Sequence, residues 1–466
     1  MKDKAQPRRR HRVRAWQLGL VGLLMPMALG SAAQTPGAVQ PAPASAHPET
    51  MTAFPPPTDG RPMQMPPPAA TMPLAADFDV RRFEAMAQAM VADQRVPGLA
   101  MAIVHNGRVL SARGYGITDV RAAEPVDAHT VFRLASLSKS FAGTLAGVLV
   151  SEGALRWDSK VVDYMPGLQL SDPGAAGRIT VADVLSHRVG LGRHTYDRDI
   201  ERGADYNALV QKLAQAPMTC EPGDCYSYQN VAFSLVGDVV FATSGQFYNE
   251  AVSRRLFKPL GMNDASLGLE GIQASARWAK PHVRAGKGWS SLMPKPTYYR
   301  VSPAAGVNAS IADMAQWLIA QGGHRPDVLP APLLSTLHAP IVGTPGEMRS
   351  RSASWRGQRL NAAGYGLGWR IYDYAGHRMV FHGGAVQGYR GLMALLPERD
   401  LGLVVLWNSE SSLPSGLLPT ILDSAIGLQS DRWLDVDIES LYAAGERPSQ
   451  GQTAGGGTSV SRAQPE

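Results

Sequence analysis

Ser136 and Lys139, in the stretch FRLASLSKSF (132–141), have types and spacing suited to nucleophilic chemistry. On a helix that starts near Ser136, a residue three positions on lies one turn away on the same face. The serine oxygen then stands at the positive end of the helix, and an ammonium beside it stabilises a developing negative charge. A helix-capping serine with a solvated lysine fits the same spacing. A second triplet, Tyr228-Gln229-Asn230, lies inside CEPGDCYSYQNVAFSLVGDVV. Tyrosine acts as a base when a neighbouring lysine depresses its pKa, and asparagine can orient both that lysine and a substrate carbonyl or amide. A third, His382-Gly383-Gly384 in VFHGGAVQGYRG, puts a histidine near a strand end, with glycines that let a substrate approach the backbone. Taken singly, each of the three also fits a purely structural role.

Positioning these residues requires recognisable elements. After Ser136, KSFAGTLAGVLVSEG carries Phe141, Leu145, Val148 and Leu149 on one helical side and a stop at Gly153. Upstream, ADFDVRRFEAMAQAMVADQRVPG has an aspartate cap and an apolar stripe through Phe83, Met86, Met90 and Val91, a helix ended near Pro97. LAMAIVHNGRVLSARGYG then supplies two alternating runs joined by Asn106-Gly107, a hairpin signal. A similar pattern returns in RGLMALLPERDLGLVVLWN (390–408), followed by LLPTILDSAIGL (417–428) as a helix to lay on the sheet. Strands at both ends with helical signals between them predict a mixed α/β (α+β) fold: an antiparallel sheet built from the two chain ends, flanked by helices and carrying a helix-rich subdomain.

The 466 residues suffice for a substantial core, and the formal charge of +6 is confined to the start of the chain. Lys2, Lys4, Arg8, Arg9, Arg10, Arg12 and Arg14 against Asp3 already give +6, so the remainder sums to zero and nucleic-acid binding is not indicated. The basic start, an apolar run from Trp16 to Leu29 and small residues at Ser31 and Ala33 read as a signal peptide over 1–33, with a retained N-terminal anchor as the rival. Residues 34–73 hold twelve prolines and read as an extended Pro/Met-rich linker. The expected catalytic domain is 74–435, with a disordered tail over 436–466. Cys220 and Cys225, the only cysteines, flank a Pro-Gly turn; in an exported protein they favour a disulfide over a metal site. His187 and His194, in SHRVGLGRH, lie near the cleft or in packing without a ligand cluster. No GxSxG, HExxH, P-loop or dinucleotide motif is present.

The three motifs, in this order, resemble the penicillin-recognising serine hydrolases, in the branch of class C beta-lactamases, D-amino-acid peptidases, D-alanyl-D-alanine carboxypeptidases and beta-lactamase-like esterases. The resemblance runs over 78–430 and includes ITVADVLSHRVGL (179–191), RRLFKPLGMNDASLG (254–268), PAAGVNASIADMAQWL (303–318) and YGLGWRI (365–371). It implies a beta-lactamase/transpeptidase-like fold without metal or cofactor. Ser136 would be the acylated nucleophile, Lys139 its proton-positioning partner and Tyr228 the general base. Asn230, His382 and Gly384 would bind substrate, and the N–H groups of Ser136 and Ala385 would hold the oxyanion.

Three departures matter. Lys-Thr-Gly, common in the third motif, is His382-Gly383-Gly384 here, which lacks a permanent positive charge and argues against efficient reading of anionic beta-lactams. Gln229 replaces the usual serine, and Val189 replaces a small polar residue. The expected protein is a periplasmic or secreted serine hydrolase acting on an ester or amide, D-amino-acid peptides included, with a small-molecule or peptide partner and no integral membrane domain once the signal is cleaved. The alternatives are a class C-type beta-lactamase or D-alanyl-D-alanine carboxypeptidase, and a penicillin-binding protein without significant turnover.

Overall fold

The computed structural model describes residues 71–92, 94–348, 354–429 and 433–434. The expected signal peptide, nearly all of the linker and the C-terminal tail lie outside the described residues.

Eight strands form the main sheet: β1 (Gly98–His105), β2 (Arg108–Gly116), β3 (Val342–Gly343), β4 (Leu360–Tyr365), β5 (Arg370–Tyr374), β6 (His377–Val386), β7 (Tyr389–Leu396) and β8 (Leu401–Trp407). Their spatial order is β2-β1-β8-β7-β6-β5-β4-β3, antiparallel throughout. The two chain ends meet at the pairing of β1 with β8, from Leu99 opposite Trp407 to His105 opposite Leu401. Asn106 and Gly107 turn the first hairpin with φ of 49° and 67°, the left-handed region that this pair tolerates.

Because successive strand side chains point to opposite faces, β1 serves two cores at once. Ala100, Ala102 and Val104 face the helix-rich side, with α2 (Ser138–Ser151) and α4 (Ile311–Ile319). Leu99, Met101 and Ile103 face α1 (Val80–Ala92) and α5 (Leu417–Ala425), against Phe83, Met90, Leu418 and Ile421. Helix α1 starts where Asp79 Oδ1 accepts from the Arg81 N–H, and it ends before Pro97. Between the chain ends lie the helical elements of the insertion, among them α3 (Leu235–Ser244).

Helix α2 differs from the amphipathic reading. Eleven of its fourteen residues are buried, Lys139 included, because the sheet, α4 and the insertion enclose it on all sides. Phe141 stacks on Trp317 with ring centroids 3.9 Å apart. A helix polar at only a few positions and yet enclosed must find partners for those groups, which is the first physical indication that Lys139 has a specific task.

Candidate active site

Ser136 sits in a single 3-10 turn, Ala135–Leu137, that runs into α2. Two devices hold this turn. The preceding Phe132–Arg133 pairs with Val307–Ala309 in a small three-stranded sheet, and the Leu134 N–H donates to Val307 O at 3.0 Å. Ala135 has φ 49°, a left-handed conformation costly for a residue with a Cβ and kept only where the surroundings impose it.

Lys139 is fully buried, and its Nζ lies 2.7 Å from Asn230 Oδ1, 3.1 Å from Ala304 O and 3.4 Å from Ser136 Oγ. Two of its three bonding directions are therefore spent on carbonyl acceptors, and the third faces the serine. Burial pushes the ammonium below the ordinary lysine value, while the nearby Tyr228 and Asp197 pull it back up. The Tyr228 ring centroid is 4.7 Å from Nζ. The second motif thus meets the first.

Tyr228, Gln229 and Asn230 are all held by the segment 187–197. The His194 N–H donates to Tyr228 O at 2.9 Å, Gln229 Nε2 donates to Leu191 O and Gly192 O, and Asn230 Nδ2 donates to Asp197 Oδ2 at 2.8 Å. Gln229 therefore points away from the cleft. His187 is wholly buried, accepts from the Gln229 N–H at Nδ1 and packs tilted against the Tyr228 ring, centroids 4.4 Å apart. Burial, with Lys139 and Arg370 adding to it, pushes the imidazole well below its ordinary pKa, so it stands neutral. Cys220 and Cys225 form a disulfide in the loop that leads into Tyr228. That loop is pinned by the Thr219 N–H on Gly190 O and the Gly223 N–H on Arg188 O, each at 2.8 Å.

The third motif lies on β6, beside the serine turn. A Cβ on Gly384 would sit 2.4 Å from Leu134 O, so only glycine lets strand and turn approach this closely. Gly383, Gly384 and Ala385 line a cavity of about 340 Å³ that also holds Ser136, Arg356 and Arg370. The His382 side chain is absent from that lining. Its ring is wholly buried, with Nε2 3.0 Å from the Tyr365 hydroxyl and Nδ1 2.8 Å from Gly383 O. Burial, and then Arg370 and Lys139, keep it well below the ordinary histidine pKa. The backbone of this strand, rather than the imidazole, faces the cleft.

Sequence reasoning missed the cations here. Arg370 follows two glycines in YGLGWRI, a segment noted without a role, and pairs with Glu347. Arg356 lies over the rings of Trp355 and Phe381, at 5.2 and 5.5 Å, and makes no ion pair among the described residues. Both arginines also line an adjoining cavity of about 660 Å³ with Tyr228, Tyr226 and Arg193. Nothing local in the sequence marks Arg356. A larger cavity of about 810 Å³, lined by Tyr206, Asp238, Phe241 and Phe247, contains none of the three motifs. Among the described residues no cluster of histidine, cysteine, aspartate and glutamate side chains is arranged to hold a metal ion.

Comparison with known proteins places the chain in a family. The "Unguisins hydrolase ungD" of Aspergillus violaceofuscus is 24% identical over 77% of this chain and 66% of its own length, so the chain spans just under two thirds of that relative. "Penicillin-binding protein 4" of Amycolatopsis lactamdurans is 27% identical over 71% of this chain and 86% of its own. The solved structure of the octameric penicillin-binding protein homologue from Pyrococcus abyssi superposes with a TM-score of 0.67 at 24% identity, covering 76% of this chain and 79% of that one, which establishes a shared fold. The Beta-lactamase family profile matches residues 83–425, which take in all three motifs, and the chain therefore belongs to the beta-lactamase family of serine hydrolases.

Proposed function

We propose that this protein is an exported hydrolase that cleaves an ester or amide through an acyl-enzyme on Ser136. The observation that carries this reading is the placement of Lys139, buried and fixed by two carbonyls with its remaining direction on Ser136 Oγ. Ser136 Oγ bonds to the substrate carbonyl carbon while Tyr228 takes the hydroxyl proton, and the developing oxyanion lies against the N–H groups of Ser136 and Ala385. Collapse breaks the C–N or C–O bond, and Tyr228 returns its proton to the leaving group. Water then attacks the acyl carbon, the bond to Ser136 Oγ breaks, and one water proton passes by way of Tyr228 to Ser136 Oγ, leaving the free acid and the free serine. The Cys220–Cys225 disulfide supports export, since such bonds persist in oxidising compartments.

A second reading concerns substrate charge. The loss of lysine from the third motif argues for a neutral ester or amide. Arg356, which lines the cavity with Ser136 and has no carboxylate partner among the described residues, instead supports an acyl substrate that carries a carboxylate, as beta-lactams and D-alanyl peptides do. Purified parent and Arg356→Gln should be assayed with nitrocefin, a short p-nitrophenyl ester and a D-amino-acid amide. If Arg356 reads a carboxylate, the kcat/KM ratio of nitrocefin over the neutral ester falls at least about tenfold in the variant, as expected when a charge partner near the cleft is lost. An unchanged ratio returns the choice to the neutral substrates, and turnover of none of the three favours a penicillin-binding protein without significant turnover.

A further inference from the structure

Asp197 opens the short helix Asp197–Glu201, is 9% exposed and touches neither cavity wall beside Ser136. Its Oδ2 accepts from Asn230 Nδ2 at 2.8 Å and lies 2.7 Å from His194 Nδ1, whose ring is partly open to solvent. Its Oδ1 is buried without a hydrogen-bond partner among the described residues. An ionised carboxylate only accepts hydrogen bonds, so the edge of the Asn230 amide that meets it must be the NH2. The other edge, the carbonyl oxygen, is thereby turned onto Lys139 Nζ at 2.7 Å. Without Asp197 the amide is free to rotate by half a turn and present its NH2 to the lysine, where two donors repel and the hold on Nζ is lost.

We infer that Asp197 is a positioning residue for acyl transfer: its carboxylate fixes which edge of Asn230 meets Lys139, and it stands as the anion behind that amide. The inference rests on the acyl-enzyme reading above. The segment around it is built for this purpose. The His194 N–H holds Tyr228 O, the Asp197 N–H holds His194 O at 3.0 Å, and His194 and Tyr196 both adopt positive φ, at 57° and 64°. One strained turn thus grips the backbone of the tyrosine and the side chain of the asparagine together. The charged and titratable groups around Asp197 are His194 on its own turn, Lys139 across the amide, Tyr228, and the Tyr298–Glu201 pair, whose phenol oxygen lies 3.2 Å from Glu201 Oε1. Asp197 raises the Lys139 pKa, opposing burial, so removing its charge eases deprotonation of that lysine.

Two substitutions separate the roles. Asp197→Asn keeps an oxygen to accept from Asn230 but removes the charge, whereas Asp197→Ala removes both. The rate of Ser136 labelling by a fluorophosphonate and the pH profile of kcat/KM on a p-nitrophenyl ester should be measured for both variants and the parent. Expected is a loss of at least about 30-fold in labelling rate for Asp197→Ala, somewhat less than the roughly 100-fold or more that a positioned acid–base group itself contributes. Asp197→Asn should stay within about fivefold at its optimum, and the limb of its profile that reports Lys139 should move to lower pH. An Asp197→Ala rate within threefold of the parent, or an Asp197→Asn profile that superimposes on the parent's, overturns the inference. Should Asp197→Ala not fold, the Asp197→Asn profile decides alone. A parent that does not label at Ser136 sinks the acyl-enzyme reading itself, which is a different failure.

Discussion

Lys139 is an amine that the fold has enclosed and then supplied with acceptors. Desolvating an ammonium is costly unless hydrogen bonds compensate, and here Asn230 and Ala304 provide them from segments 91 and 165 residues away. Those separations explain what was legible. Ser136 and Lys139 are marked by local spacing, and Tyr228 and Asn230 by their triplet, but no short-range pattern announces that Asp197 will reach Asn230 across 33 positions or that Arg356 will line the same cavity as Ser136. His382 shows the reverse: its motif is plain in the sequence, yet the direction of its ring depends on Tyr365, 17 residues earlier on another strand. Tyr228→Phe keeps the ring packed on His187 and removes only the hydroxyl, so the thermal midpoint should barely move while the acylation rate falls at least about 100-fold. Stopped-flow acylation with the best substrate checks this, and a rate within threefold of the parent removes Tyr228 as the base.

Elements bring these residues together by close backbone approach. Gly384 on β6 abuts the serine turn, and Gly143 on α2 faces Leu367 O, where a Cβ would lie only 2.1 Å away. Gly368, with φ 82°, packs onto Lys139 O from the same loop. These contacts set the distance between α2 and the sheet, so glycine is required by approach and not only by turn geometry. The hairpin at Asn106-Gly107, α1 and the β7–β8 pattern follow from alternation and turn chemistry, and the sheet made from the two chain ends follows from them. By contrast, β3, β4 and β5 lie where the sequence carries no clean alternation, and their place at the far edge of the sheet is fixed by successive pairing, β5 on β6, β4 on β5 and β3 on β4. Helix α2 was legible in its length and stop at Gly153 but not in its burial, because enclosure depends on α4 and the insertion.

For the whole molecule, the buried histidines govern the response to acid. His187, His282, His338 and His382 are each pushed below the ordinary histidine value by burial, His338 to about 3. The unfolded chain takes up protons near pH 6.5 that the folded chain refuses, so stability is full above that pH and falls as pH drops towards the folded values. For His338 the loss is about 1.4 kcal/mol per pH unit between the ordinary histidine value and its folded value of about 3. Asp238 and Asp313, whose carboxyls burial pushes up, act in the opposite sense, but over the lower carboxylate range. The thermal midpoint should therefore fall by at least about 5 °C between pH 7 and pH 5. A midpoint that stays level or rises over that interval contradicts the neutral, buried state of these rings.

If Ser136 Oγ forms the bond to the acyl carbon, with Lys139 and Tyr228 arranged around it, a fluorophosphonate will react there, and mapping the adduct is the decisive measurement. Parent protein should gain one probe mass, carried by the peptide that contains Ser136, and Ser136→Ala should gain none under the same conditions. Full labelling of Ser136→Ala, or an adduct on any other residue of the parent, contradicts the account.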